Sequence, residues 1–176
     1  MENTQYYWVE GLYMVITIKR LIQIIAPFKD REFSLEDLIS RGNISPNTAK
    51  RYVREMLRQG LIREVGYDKY VVSDKATIYM EAFDTAKKFV EERLAYIFTD
   101  EKDSPLPLKI DSIEKLYIAI KHGFIPEKDV MRHIEKGYLP KWLSETLGAK
   151  MLAQKLQQCK SVGEVIKILE EYMKLA

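Results

Sequence analysis

The stretch NISPNTAKRYVREMLRQGLI (Asn43–Ile62) decides how the rest of the chain is read. Ser45 stands immediately before Pro46. A serine hydroxyl accepts an orphan N–H of a helix's first turn, and proline at the first helical position lacks an N–H that would have no partner there. Gln59-Gly60 marks the other end, because glycine adopts the left-handed backbone that closes a helix. Between these signals, at about 100° per residue, Ala49, Val53, Met56 and Leu57 share one face and are expected to pack. Asn47, Thr48, Lys50, Arg51, Arg54 and Arg58 are left on the outer faces. The spacing predicts a helix over 46–59, apolar on one side and basic on the other.

Working outward, the segment SLEDLIS predicts a second helix: Ser34 caps it, Glu36 and Asp37 suit its N-terminus, and Arg41-Gly42 ends it. A first, strongly apolar helix is expected from Trp8 to Ala26, stopped by Pro27. After Gly60, LIREV and KYVVS flank the turn GYD and predict a hairpin over 61–72. Tyr79, Ala82, Phe83, Ala86, Phe89, Val90, Leu94 and Ile97 then recur every three or four positions. That period predicts a long helix over 75–98. The segment TDEKDSPLPLK (Thr99–Lys109) combines charges with two prolines and reads as a linker, 99–108. The remainder, 109–176, shows helical segments punctuated by Gly123, Gly137 and Gly148. The last of these opens on Ser161 and Glu164 in capping-box spacing. The expected fold is mainly α: a helical domain with a small hairpin over 1–98, the linker, and an all-helical domain over 109–176.

Composition bounds the class. With 176 residues, 47% hydrophobic and 31% charged, the chain can bury a substantial core and is not disordered as a whole. Net charge is only +2, but it is uneven: residues 41–70 hold 7 basic against 3 acidic, and residues 71–104 hold 5 against 8. The helix 46–59 lies in the basic zone. The single Cys159 suits a reducing cytoplasm and is expected to be a buried structural thiol. No uninterrupted apolar run reaches the ~18 residues of a membrane span, and the N-terminus does not read as a signal peptide. A soluble cytoplasmic protein is the expectation.

Two short helices joined by a tight turn and followed by a hairpin are the grammar of a winged helix-turn-helix. Residues 12–73 resemble that superfamily of transcription regulators through Ser45, Thr48, Ala49, Val53, Met56 and the Gly60-Leu61-Ile62 exit. The resemblance implies binding of double-stranded DNA. A helix in the major groove reads base edges with its N-terminal residues, which points to Asn47, Thr48, Lys50 and Arg51. Arginine pairs with guanine and asparagine with adenine. Arg54, Arg58, and Arg63, Tyr67 and Lys69 of the hairpin are the expected phosphate contacts. Such regulators bind two-fold sites as dimers, so Tyr79, Ala82, Phe83, Ala86, Phe89 and Val90 are the expected homodimer surface, although the same stripe would serve equally for packing within one chain.

The C-terminal half is similar to a small all-helical module of archaeal proteins, through His133, Trp142, Leu147-Gly148, Leu152-Ala153 and Leu156. That similarity implies an archaeal origin and a regulatory or interaction domain with a protein or small-molecule partner. His133 and His122 have no companions at metal-ligand spacing, so packing roles are expected, and Trp142 reads as a core anchor. The chain has none of the phosphate-loop, dinucleotide, nucleophile-elbow or zinc motifs. Neither an enzyme nor a cofactor is expected. The reading is a dimeric, sequence-specific transcription regulator. Alternatives are a winged-helix protein adaptor that does not bind DNA, and an architectural, partition or replication factor.

Overall fold

The computed structural model describes residues 16–176. Residues 8–15 of the helix expected over Trp8–Ala26 lie outside them; within them it appears as α1, Ile18–Ile25, capped by the Thr17 hydroxyl. The chain forms two compact units, 1–77 and 78–176.

In the first unit α2 (Leu35–Gly42) and α3 (Pro46–Arg58) follow, then an antiparallel pair, β1 (Ile62–Gly66) and β2 (Lys69–Val72). The helix ends obey the local chemistry. Ser34 and Asp37 form a reciprocal capping box at α2, Ser45 caps α3 with Pro46 in its first turn, and Gly60 takes the left-handed conformation at φ 68°. Leu21, Ile25, Phe28, Phe33, Leu38, Met56, Leu61 and Ile62 are buried in this unit. Phe33 is the link between helices and hairpin. It exchanges backbone hydrogen bonds with Tyr70 at 3.0 and 2.9 Å, and its ring lies between those of Phe28 and Tyr70.

The stretch expected as one helix over 75–98 is different. α4 spans Asp74–Thr85. The Val90 N–H then donates to the Asp111 carbonyl, and Phe89 bridges to Ser112. Tertiary pairing thus captures the backbone that helical spacing would have continued. Beyond it, β3 (Tyr96–Thr99) pairs antiparallel with β4 (Pro105–Ile110). The prolines of the expected linker 99–108 lie at exposed positions of β4, and a proline is tolerated on an edge strand because it gives up no ladder bond there. The two strands thus stand where the end of the helix 75–98 and the linker 99–108 are expected, and the segment expected to be all-helical, 109–176, is helical beyond Ile110. Five helices complete it: α5 (Ile113–Lys121), α6 (Glu127–Glu135), α7 (Tyr138–Trp142, continued by a wider turn over Leu143–Leu147), α8 (Lys150–Gln157) and α9 (Val162–Lys174). One core binds them, from Ala82 and Ala86 through Phe98, Ile110 and Leu116 to Leu152, Val165 and Leu169. Ser161 caps α9 as expected, but Glu164 reaches the Lys160 N–H. Among the described residues no helix is long and apolar enough to cross a membrane.

Candidate nucleic-acid interface

Helix α3 separates into two faces. Ala49, Tyr52, Val53 and Met56 are buried. Leu57, expected among them, is 37% exposed, and Tyr52 takes its place. At 100° per residue Tyr52 lies about 50° from the axis of the packed face and Leu57 about 90° from it. On the opposite side Asn47, Lys50, Arg51, Arg54 and Arg58 fall within about 100° of arc. Asn47, Lys50, Arg54 and Arg58 are exposed and Arg51 is half-buried, with its guanidinium carbon 5.6 Å from the centre of the Tyr52 ring.

Thr48 is separate from this stripe. Its hydroxyl is 2.9 Å from the Ser45 hydroxyl, so it belongs to the helix cap. Arg58 is held at both ends of its fork by one carboxylate: Nη2 and Nε donate to Glu55 at 2.6 and 2.9 Å. The Glu55 side chain is only 9% exposed and also accepts from Gln59. In the sequence Glu55 is simply one of the three acidic residues of 41–70. Its spacing three residues before Arg58 was the available signal. The stripe thus carries four cations with one anion at its margin.

The hairpin contributes less charge than its sequence suggested. Over Ile62–Val72, Arg63 and Lys69 are balanced by Glu64 and Asp68, and Lys69 lies 3.6 Å from Glu32. Both ends of that pair are well exposed, so it contributes little to stability. Tyr67 at the tip is 99% exposed. Asp68, at φ 51°, accepts the Leu35 N–H at the start of α2 through Oδ1, at 3.3 Å. A carboxylate is favoured at a helix N-terminus, and this contact ties the hairpin turn to α2. The sequence showed Asp68 only as a turn residue.

The second unit holds the remaining residues singled out from the sequence. Of the expected dimer surface, Ala82 and Ala86 are buried in the chain's own core. Tyr79 and Phe83 are half-buried with their rings 6.2 Å apart, Val90 packs on the core, and Phe89 is 67% exposed. His133 is buried. Its Nε2 meets the Thr99 backbone N–H at 3.1 Å and the Thr99 carbonyl at 3.2 Å, and its Nδ1 lies 2.6 Å from the Tyr96 hydroxyl. Burial holds the imidazole pKa below its ordinary value and pushes the Tyr96 phenol above its own. Next to it, Arg132 donates to the Thr99 carbonyl and to Asp129. Trp142 is a buried anchor whose indole N–H donates to the Leu94 carbonyl at 2.8 Å, and Cys159 is a buried thiol. A second buried network escaped the sequence reading. Glu81 accepts the N–H groups of Met151 and Leu152 at the start of α8, at 2.7 and 3.0 Å, and the Tyr172 hydroxyl at 3.0 Å. Among the described residues no group of His, Cys, Asp and Glu could hold a metal ion.

No family model, curated protein or solved structure matches the chain.

Proposed function

We propose that the first unit is a winged helix-turn-helix and that the chain is a DNA-binding transcription regulator. In this reading α3 lies in the major groove, with Asn47, Lys50 and Arg51 toward base edges and Arg54, Arg58 and Arg63 toward phosphates. The observation that carries it is the segregation of α3: a basic stripe stands opposite a fully packed face and beside an anchored, exposed hairpin. A run of cations turned away from the packed face is what a polyanionic rod would select. The order of three helices and a hairpin, with the added Phe33–Tyr70 bridge, supports the same reading. The second unit is proposed as the regulatory or partner-binding part. A homodimer would use Phe89 with Tyr79 and Phe83, since Ala82 and Ala86 are taken up by the chain's own core.

One observation favours the adaptor reading instead. Glu55 and Glu32 stand against Arg58 and Lys69, which lowers the net positive charge of the surface. Fluorescence anisotropy with pooled random-sequence duplexes separates the two. The DNA reading expects binding at low ionic strength that weakens steeply with salt, followed by enrichment of one sequence family on selection. Absence of binding at low salt would refute it.

A further inference from the structure

Tyr67 is 99% exposed. A tyrosine ring is ordinarily well covered, because its body is apolar and only its tip is polar. Val65, two residues before it on β1, is 50% exposed. The backbone that presents them is fixed from two sides, by the Asp68 contact to the Leu35 N–H and by the paired hydrogen bonds between Tyr70 and Phe33. A ring displayed on a held turn loses little freedom when it meets a partner.

The charge pattern says what that partner is. Net positive charge is concentrated on α3, with four cations to one anion, whereas Ile62–Val72 carries two of each sign. The hairpin tip therefore offers a flat aromatic face rather than a cationic one. The matching face on a nucleic acid is that of a base, and stacking on tyrosine is favourable for every base. Within a paired duplex those faces are covered by neighbouring base pairs. They are open at an unpaired base or a bulge.

We propose that Tyr67 stacks on an unpaired base, so that the protein prefers duplex DNA carrying a bulged base to the same duplex fully paired. This rests on the DNA binding assigned to α3 above. The test measures anisotropy for the unchanged protein, Tyr67→Ala and Tyr67→Phe on two duplexes that differ only by one bulged 2-aminopurine. The expected result is about tenfold tighter binding of the bulged duplex, with quenching of the bulged base. Tyr67→Phe should keep both effects, since it retains the ring, and Tyr67→Ala should lose both, bringing its affinities for the two duplexes together. Equal affinity of the unchanged protein for the two duplexes would overturn the inference and leave the DNA reading standing. Loss of the preference in Tyr67→Phe would also overturn it, by assigning the hydroxyl to a phosphate. Failure to bind either duplex at low salt would overturn both.

Discussion

Replacing Glu55 by glutamine should make DNA binding tighter. The carboxylate neutralises Arg58 through two hydrogen bonds of 2.6 and 2.9 Å. If the pair contributes no net charge, the proposed phosphate contacts that remain are Arg54 and Arg63. Each phosphate contact contributes about −0.9 to the slope of log K against log salt, so those two give about −1.8. Glu55→Gln keeps one oxygen for Arg58 but removes the negative charge, and a third cation then meets the backbone. The slope should steepen to about −2.7, and near 0.1 M salt the gain in affinity should approach about eightfold. Arg54→Ala should move the slope the other way, to about −0.9. Anisotropy titrations of a labelled duplex over a series of salt concentrations give all three values. Because Arg58 is half exposed, the lost charge on its hydrogen bonds should cost only about 1 kcal/mol of stability, checked by urea unfolding. An unchanged or shallower slope in Glu55→Gln, with the fold intact, would show that Arg58 does not face phosphate.

Glu81→Ala should destabilise the second unit by about 3–5 kcal/mol, because it strands two N–H groups of α8. Glu81→Gln should cost about half as much, since one amide oxygen can still serve Leu152 and Tyr172, which share Oε1. Equal losses in urea unfolding would contradict this geometry. His133 sets a pH dependence: its folded pKa lies below the ordinary 6.5, so the unfolded chain binds the extra proton first. Its contribution is fully present above that value and declines as pH falls through it toward the folded pKa. The urea midpoint should therefore drop on acidification, and His133→Phe should flatten that part of the curve.

The helix at the centre of the first unit was legible because every signal agreed: a capping serine, a proline in the first turn, a closing glycine and an apolar face at helical spacing. The turn after α4 was not. Ala82 and Ala86 satisfy helical spacing and are buried, yet Phe89, Val90, Leu94 and Ile97 continue the same spacing in a segment whose backbone pairs elsewhere. Nothing local distinguishes the two halves, since the Asp111 carbonyl that takes the Val90 N–H lies twenty-one residues on. For β4 the signal was present but masked. Leu106, Leu108 and Ile110 alternate with Pro105, Pro107 and Lys109, and the prolines drew the reading toward a linker although edge strands admit them. The polar networks of Glu81 and His133 join residues tens of positions apart, and no periodicity reports them.

The candidate site was legible to the extent that packing excluded residues from it. The core of the first unit claims positions 49, 52, 53 and 56 of α3, and steric demand limits what stands there. Positions 47, 50 and 54 are exposed and answer to no such demand, whereas Arg51 lies half-buried beside the Tyr52 ring and Arg58 pairs with Glu55. Glu55 lies at the margin, about 110° from the centre of the packed face. There it is low enough to be largely covered and high enough to reach Arg58 and Gln59. A residue so placed acts on the fold and on the surface charge together. That is why its substitution separates the two functional readings better than removal of any single cation. If α3 meets DNA, Glu55 restrains the affinity and its neutralisation releases it. If α3 meets a protein, Glu55 and Arg58 are a hydrogen-bonded pair on a docking face, and breaking their charge balance should give no salt-dependent gain for DNA.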